Sequence, residues 1–326
     1  MSMIHRGRRL RASGAIRNLI RETKINIEDL VYPIFVVEGE NIKKEISSLP
    51  NNYHLSVDNL DAEIKEMKSV GLESVLIFGL PGEKDAFGKE AYNDDGIVQK
   101  AVREIKAKHP DMLVITDICM CQYTDHGHCG ILQECGCIDN DVTLEYLSKI
   151  AISHAKAGAD MVAPSDMMDG RVGHMRKALD SKGFEMVGIM SYSAKYSSSF
   201  YGPFRDAADS APSFGDRKTY QMDPANSDEA MREIAMDLEE GADVIMVKPA
   251  LSYLDIIRRA KDEFNAPLAA YSVSGEYAML KNAIDMGIIN ESAMMEAMTS
   301  IKRAGADILI TYFAKDIAKI IRKKLD

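Results

Sequence analysis

Short apolar runs alternate with longer amphipathic segments along most of this chain. The runs are rich in Val, Ile and Leu and show little polar alternation, which is typical of parallel strands covered on both faces. We predict eight strands, over residues 30–37, 74–79, 113–118, 161–164, 186–192, 244–247, 267–273 and 308–312. Between them we predict helices over residues 57–70, 96–108, 142–157, 228–240, 254–263, 292–304 and 314–324.

The tripeptide Gly-Ala-Asp occurs three times, beginning at Gly158, Gly241 and Gly305, and each copy separates a predicted helix from a predicted strand. Glycine is common where helices end, because the turn there often needs a left-handed backbone. Eight strands alternating with helices over about 300 residues predict a (β/α)8 TIM barrel, which is an α/β fold. A doubly wound sheet is the alternative, but no glycine-rich phosphate loop follows the first strand, so we favour the barrel.

The first 24 residues differ from this pattern, because six arginines and Lys24 face the single acid Glu22 there. A mitochondrial leader has a similar charge but is richer in serine, so we expect an arm that is solvated or packs on a neighbouring subunit. We therefore divide the chain into an N-terminal arm for subunit contacts, residues 1–24, and a single catalytic barrel domain, residues 25–326.

The formal net charge is −10, which argues against a nucleic-acid partner, because such partners need a basic surface. No uncharged apolar run reaches about 18 residues, so we expect no membrane span. Charges throughout the N-terminus argue against a signal peptide. All five cysteines lie between Cys119 and Cys137. A clustered, odd number favours a metal site over a disulfide framework, so we expect a reducing, cytoplasmic location.

The segment after the third predicted strand carries Cys119, Cys121 and Cys129. Three thiolates at this spacing suit Zn²⁺, which is soft enough for sulfur and accepts tetrahedral geometry. A catalytic site would keep the fourth position open for water or substrate, whereas a structural site would take a fourth protein ligand. The candidates for that ligand are His126, His128, Cys135 and Cys137, and free thiols without metal are the remaining alternative.

Two lysines, Lys195 and Lys248, end apolar, strand-like runs. In a barrel such strand ends meet at the face where active sites lie, so we expect both amines to point into one mouth. Burial and a second nearby ammonium lower a lysine pKa and so favour the free amine that attacks carbonyls. The pair predicts Schiff-base chemistry, although a single strand-end lysine is more often paired with a carboxylate. Other polar side chains at these ends are Asp117, Ser165, Asp166, Ser274 and Tyr312.

A long connection over residues 197–221 lies between the two lysines and is rich in Gly, Pro, Ser and aromatic residues. Loops of this length in a barrel are usually lids or binding loops. Arg205 and Arg217 could hold a substrate carboxylate with paired hydrogen bonds. Pairing with their neighbours Asp206 and Asp216 is an equal alternative.

Several long motifs resemble the porphobilinogen synthase (5-aminolevulinate dehydratase) family, and the resemblance covers nearly the whole chain. They are residues 119–129 (CMCQYTDHGHC), 163–172 (APSDMMDGRV), 190–195 (MSYSAK), 200–208 (FYGPFRDAA), 246–249 (MVKP) and 273–277 (VSGEY). The resemblance implies condensation of two 5-aminolevulinate molecules into porphobilinogen, with loss of two waters, in tetrapyrrole (heme) synthesis. Some members replace the cysteines with an aspartate-rich, zinc-independent set, so this chain resembles the zinc-dependent type.

The resemblance also implies roles for individual residues. Lys248 would hold the P-side substrate and Lys195 the A-side substrate as Schiff bases, with zinc on the three cysteines assisting at the A side. The implied contacts are Arg205, Arg217 and Gln221 for the A-side molecule, Ser274 and Tyr312 for the P-side carboxylate, and Asp117, Ser165 and Tyr201 for proton transfer. An allosteric Mg²⁺ on Glu233 and a homo-octamer whose arms embrace neighbouring subunits are further implications.

Three other classes fit parts of the pattern. A class I aldolase also uses a Schiff-base lysine at a strand end, but it needs neither a second lysine nor a three-cysteine site. A zinc hydrolase usually takes histidine and carboxylate ligands, which this segment supplies poorly. A non-catalytic, zinc-stabilised oligomeric scaffold would leave both lysines unreactive.

Overall fold

The computed structural model of the protein describes residues 3–323, so Lys324, the predicted end of the last helix, lies outside the described residues. The strands are β1 (Leu30–Val37), β2 (Lys43–Ile46), β3 (Leu49–Ser56), β4 (Ser74–Leu80), β5 (Leu113–Ile118), β6 (Met161–Pro164), β7 (Gly188–Lys195), β8 (Val244–Lys248), β9 (Leu268–Ser272) and β10 (Ile308–Thr311). The α-helices are α1 (Gly14–Leu19), α2 (Leu60–Ser69), α3 (Ile97–Lys108), α4 (Asn140–Ala157), α5 (Arg171–Asp180), α6 (Gly202–Ala207), α7 (Asp228–Glu239), α8 (Leu254–Glu263), α9 (Ser274–Asp285), α10 (Ser292–Ala304) and α11 (Ala314–Arg322).

Eight of these strands form a closed parallel barrel. β1 pairs with β4, the order then follows the chain from β4 to β10, and β10 returns to pair with β1. The closing register joins Leu30 to Leu309 and Val31 to Ile310. The apolar strand residues are buried between the barrel interior and the surrounding helices. The predicted (β/α)8 barrel is therefore confirmed.

The Gly-Ala-Asp repeat has the same role at each of its three positions. Each glycine follows a helix and has a positive φ, between 105° and 132°, which a residue with a side chain rarely adopts. Each aspartate carboxylate then accepts a hydrogen bond from a backbone N–H of the preceding barrel strand, which fixes how the two strands align. The bonds join Asp160 to Val114 (2.7 Å), Asp243 to Ile189 (2.8 Å) and Asp307 to Leu268 (3.0 Å).

Several elements were not predicted. The antiparallel strands β2 and β3 extend the sheet beyond β1, and β3 runs parallel to β1. Their sequences contain many polar residues and no apolar run, because only one part of each strand is buried. Helices α5, α6 and α9 were also missed, and each has a glycine within it or at its start.

Residues 3–24, the described part of the predicted arm, pack little against the barrel. Neither helix α1 nor the short helical turn before it contains a buried residue. Several apolar side chains there are more than half exposed, including Ile4 at 76% and Leu19 at 85%. Within the part of the chain that the structure describes, we find no helix with the length and apolar character that crossing a bilayer requires.

Candidate active site

The two candidate lysines lie side by side at the carboxyl-terminal mouth of the barrel. Lys195 ends β7 and Lys248 ends β8, and they are direct partners in the parallel register. Only 6% and 5% of their respective surfaces are exposed. Neither belongs to an ion pair among residues 3–323. Pairing with carboxylates at the strand ends therefore does not account for these lysines.

The surroundings of the two amines differ. Lys195 donates a hydrogen bond to the carbonyl oxygen of Ser165. The Nζ atom of Lys248 faces aromatic rings instead, 4.3 Å from the centroid of Tyr271 and 5.1 Å from that of Phe204. Burial, and after it the charge of Lys195, lower the pKa of Lys248 to about 7. A large fraction of Lys248 is therefore a free amine near neutral pH, the form that attacks a carbonyl carbon.

Asp117 is a buried carboxyl close to both lysines. One of its oxygens accepts a hydrogen bond from the Gln122 amide at 3.1 Å, and the other has no partner among the described residues. Burial raises the pKa of Asp117, while the Ser165 hydroxyl and the charge of Lys195 oppose the change. A carboxyl in this position is suited to exchanging a proton with a substrate held at the lysines.

Cys119, Cys121 and Cys129 come together in the loop after β5. Their sulfur atoms all lie within 4.8 Å of one another, and the Sγ atoms of Cys119 and Cys121 are 3.3 Å apart. All three side chains are buried. Burial raises the pKa of the Cys119 thiol, whereas hydrogen bonds from Cys119 and Cys121 lower that of Cys129. Three converging soft donors form a candidate metal site.

The other predicted ligands of that site lie elsewhere. His126 Nδ1 accepts the backbone N–H of His128 at 3.1 Å. The ring of His128 contacts the Tyr220 hydroxyl at 3.2 Å and the Phe214 carbonyl at 3.0 Å. Cys135 and Cys137 are exposed. Within residues 3–323, the group of metal-competent side chains that meets consists of three thiols, which leaves a coordination position for a non-protein ligand.

The long connection after β7 places Arg205, Arg217 and Gln221 with unused polar atoms. Arg217 is buried and donates to the carbonyls of Gly127 and Ser210, and Lys218 rather than Arg217 pairs with Asp216. Among the described residues, both amide atoms of Gln221 and the Nε atoms of Arg205 and Arg217 have no hydrogen-bond partner. Burying such groups without partners is costly, which indicates that a polar ligand completes their bonding.

The predicted P-side residues, Ser274 and Tyr312, each form a hydrogen bond within the protein. The Ser274 hydroxyl accepts the backbone N–H of Phe204 at 2.9 Å, and the hydroxyls of Tyr312 and Tyr271 are 3.1 Å apart. Tyr201 donates its hydroxyl to the carbonyl of Tyr196 at 2.7 Å. Both tyrosine hydroxyls therefore already have a hydrogen-bond partner within the protein. The Phe204 ring lies over the Lys248 amine.

Glu233 lies apart from the lysines, on helix α7. It lines a groove of about 870 Å³ together with Asp169, Glu229 and Asn226. Burial, followed by repulsion from Asp237, raises the pKa of Glu233. The same groove reaches Gln221, so it runs from an acidic surface to the edge of the candidate site.

Sequence reasoning missed a buried ion pair behind the lysines. Arg171 donates to the Asp237 carboxylate at 3.2 Å and to the carbonyl of Tyr192 at 3.3 Å, and its Nε is 4.0 Å from the Asp166 carboxylate. Burial raises the pKa of Asp166 to about 6. Arg171 begins α5, after the loop that follows β6, and its partner Asp237 is 66 positions away, so no local pattern connects the two.

A parallel barrel with two buried lysines in register and three converging thiols is suited to an enzyme that acts on carbonyl substrates. Residues 4–320 match the family described as delta-aminolevulinic acid dehydratase. The chain therefore belongs to that family, and it is a dehydratase, which is a lyase.

Individual relatives agree with this assignment. The chain is 58% identical to a delta-aminolevulinic acid dehydratase of Halalkalibacterium halodurans, over 98% of this chain and 97% of that protein. It is 57% identical to the protein of the same name in Bacillus subtilis, over 97% of each. Among solved structures, the Toxoplasma gondii enzyme in complex with its product porphobilinogen superposes with a TM-score of 0.95 and 45% identity. That comparison covers 98% of this chain and 92% of the Toxoplasma chain.

Proposed function

We propose that the protein condenses two molecules of 5-aminolevulinate into porphobilinogen, with loss of two waters, and so serves tetrapyrrole (heme) synthesis. The observation that supports this most directly is the pair of buried lysines, Lys195 and Lys248, in register on neighbouring strands. Each amine captures one keto group as a Schiff base. Two amines that both lie at the Tyr192 ring, 5.6 and 4.9 Å from its centroid, therefore suit a reaction that joins two keto substrates.

Two of the alternative classes, the aldolase and the scaffold, fit these residues less well. A class I aldolase needs only one Schiff-base lysine and no thiol cluster. A non-catalytic, zinc-stabilised scaffold gains nothing from a buried amine whose pKa is about 7, because that shift reflects a loss of folding free energy.

In the proposed reaction, Lys248 binds the P-side substrate and Lys195 the A-side substrate. The free amine of Lys248 attacks the keto carbon, a proton moves from nitrogen to oxygen, and the oxygen leaves as water when the imine forms. The same exchange at Lys195 releases the second oxygen. Asp117, Ser165 and Tyr201 are proposed to carry protons between these groups and the substrate amines.

We propose that Cys119, Cys121 and Cys129 hold Zn²⁺. The fit rests on three buried sulfur donors within 4.8 Å of one another and on the open position that a three-ligand set leaves. When bound there, zinc supplies a Lewis acid that polarises the A-side substrate and favours its deprotonation.

The remaining polar groups are proposed to hold the two substrates. Arg205 and Arg217 would bind the A-side carboxylate, with Gln221 supplying the amide whose atoms have no protein partner. Ser274 and Tyr312 would take the P-side carboxylate. The Ser274 hydroxyl accepts the Phe204 N–H, and its own hydrogen can be donated to a carboxylate oxygen.

The proposal extends to regulation and assembly. Glu233 is proposed to bind an allosteric Mg²⁺, since it lines an acidic groove with Asp169 and Glu229. We propose a homo-octamer in which residues 1–24 form an arm on a neighbouring subunit and residues 25–326 form the catalytic barrel domain. We also propose a cytoplasmic location, because reducing conditions keep thiolate ligands free of disulfides.

Borohydride reduction in the presence of 5-aminolevulinate tests the proposed chemistry. We expect a reduced substrate adduct on Lys248, located by peptide mass spectrometry, and loss of turnover in Lys248→Ala with the barrel still folded. Exposed Lys182→Ala, in the turn between α5 and β7, is the matched control and should keep both adduct and activity. A protein with full turnover but no adduct on either lysine would refute the Schiff-base proposal.

A further inference from the structure

Glu276, in the first turn of α9, is a buried carboxyl group that the proposed reaction does not use. It belongs to no ion pair among residues 3–323. Its two oxygens instead accept backbone N–H groups, that of Leu251 at 2.8 Å and that of Val273 at 3.0 Å. Burial raises the pKa of Glu276 to about 7. A carboxylate buried without a cation costs free energy, which indicates that Glu276 has a role beyond stability.

The two N–H groups belong to the two segments that carry the proposed P-side residues. Leu251 follows Lys248 by three residues, in the turn after β8. Val273 immediately precedes Ser274, the first residue of α9. The strands that lead into these segments, β8 and β9, are neighbours in the barrel. The Glu276 carboxylate therefore connects the segment after Lys248 to the segment that begins with Ser274.

The connection after β7 packs against the first turn of α9 as well. The Ser274 hydroxyl accepts the Phe204 N–H at 2.9 Å, and the Phe204 ring lies over the Lys248 amine. The backbone of Phe200 contacts Gly275 so closely that a Cβ atom there would lie 2.5 Å from the Phe200 carbonyl oxygen. A shift of this turn would therefore move Ser274 and Phe204 relative to Lys248.

We propose that Glu276 is a positioning residue that sets the distance between the Lys248 amine and the Ser274 hydroxyl, and through that distance selects the chain length of the P-side substrate. A short methylene chain separates the keto carbon of 5-aminolevulinate from its carboxylate. The amine captures the keto carbon and the hydroxyl donates to the carboxylate, so the spacing of the two protein groups has to match that chain. This inference rests on the proposed function.

Borohydride trapping of two keto acids on Lys248 tests the positioning role. The first, 4-oxopentanoate, has the keto and carboxylate groups of 5-aminolevulinate without its amine, and the second, 5-oxohexanoate, is one methylene longer. Adduct formation is measured by peptide mass spectrometry over a range of keto-acid concentrations. The wild type should be half-saturated by the shorter acid at a concentration at least about tenfold lower, the usual discrimination for one methylene.

Glu276→Gln keeps the shape of the side chain but replaces one acceptor oxygen with an NH2 donor, so one backbone N–H loses its partner. We expect the half-saturating concentration of 4-oxopentanoate to rise about tenfold, the order expected when a buried N–H loses its acceptor. The value for 5-oxohexanoate should change less, so the preference for the shorter acid should shrink. Glu276→Asp, which keeps the charge but is one methylene shorter, should change both values in the same direction and is the test if the glutamine variant does not fold.

Asp307→Asn is the matched control, because Asp307 accepts the Leu268 N–H at 3.0 Å at the opposite end of β9. This carboxylate-to-amide change should lower stability to urea and leave both trapping curves unchanged. Wild-type trapping curves in a folded Glu276 variant would overturn the positioning role alone. So would an equal loss for both keto acids, since that result would reflect general destabilisation. The absence of any adduct on Lys248 in the wild type would instead count against the proposed Schiff-base function.

Discussion

The Lys248 side chain shows how function is set against stability at a single residue. Its amine is buried among aromatic rings, and its pKa of about 7 lies well below the ordinary value of about 10.4. The unfolded chain therefore binds a proton there more tightly than the folded chain. This difference destabilises the fold fully below pH 7 and disappears as the pH rises towards the unfolded pKa.

We predict that Lys248→Met abolishes turnover and stabilises the protein at pH 7 by about 2 kcal/mol, because methionine fills similar space without a buried amine. Urea unfolding at several pH values measures the effect, and the gain should shrink between pH 7 and pH 10. Lys182→Met, an exposed substitution, should change neither stability nor its pH dependence. A gain that stays constant with pH would contradict the assigned pKa.

The three-thiol cluster yields a second residue-scale prediction. Removing metal from Cys119, Cys121 and Cys129 with a chelator should lower turnover by at least about a hundredfold, since Lewis-acid assistance contributes several kcal/mol to such reactions. Added Zn²⁺ should restore it, whereas Mg²⁺ should not, because Mg²⁺ prefers oxygen ligands. Metal analysis must accompany the assay, and unchanged rates in verified zinc-free protein would refute a catalytic role.

At the scale of secondary-structure elements, Arg171 at the start of α5 links three of them. Its guanidinium donates to the carbonyl of Met168 at 3.2 Å, to the carbonyl of Tyr192 in β7 and to the Asp237 carboxylate in α7. Met168 lies in the loop between β6 and α5. The same loop contains Ser165, whose carbonyl accepts a hydrogen bond from the Lys195 amine. Arg171 therefore sets the position of that carbonyl relative to β7.

We predict that Arg171→Lys reduces borohydride trapping of substrate on Lys195 by about tenfold and leaves trapping on Lys248 unchanged, because lysine lacks the planar donor set that bridges three partners. Peptide mass spectrometry after reduction measures both adducts in one sample. Arg176→Lys, on the same helix but bonded to Asp180 and to the Val187 carbonyl, is the matched control. Equal losses at both lysines would indicate general destabilisation rather than positioning.

Elements with a continuous apolar run could be predicted from sequence to the residue. The strand at residues 30–37 matches β1, and the strand at residues 113–118 matches β5, because both are buried on two faces. The polar strands β2 and β3 carry no such pattern, and β7 continues to Lys195, three residues beyond the predicted end at residue 192. Tertiary pairing, rather than local sequence, produces these strands.

Some features of the candidate site could likewise be predicted from the sequence, and others could not. The meeting of Cys119, Cys121 and Cys129 was predictable, because the thiols are close in sequence. Two other features depend on how the long loop after β7 folds over the barrel, which no local spacing in the sequence encodes. They are the position of the Phe204 ring over Lys248 and the amide of Gln221, which has no hydrogen-bond partner among the described residues. The relative position of Lys195 and Lys248 followed only once the barrel itself was predicted.

At the scale of the whole molecule, barrel closure brings distant segments to one mouth. β5 supplies the carboxyl, the loop after β5 supplies the thiols, and β7 and β8 supply the lysines. The connection after β7 places Phe204 over Lys248. Residues 3–24 lie outside the barrel. Their apolar side chains, such as Leu10 and Leu19, are exposed and are not buried by any other part of the described chain. Apolar surface of this kind is usually buried in an assembly.

We predict that removing residues 1–24 leaves the barrel folded but converts the proposed octamer to smaller species, as measured by analytical ultracentrifugation with far-UV circular dichroism. The barrel should survive because helix α1 and the turn before it bury no residues against it. Leu10→Ser/Leu19→Ser should shift the same equilibrium while keeping every charge, and Arg17→Ala should shift it less if apolar contacts dominate. An unchanged sedimentation profile after truncation would show that the arm does not hold the subunits together.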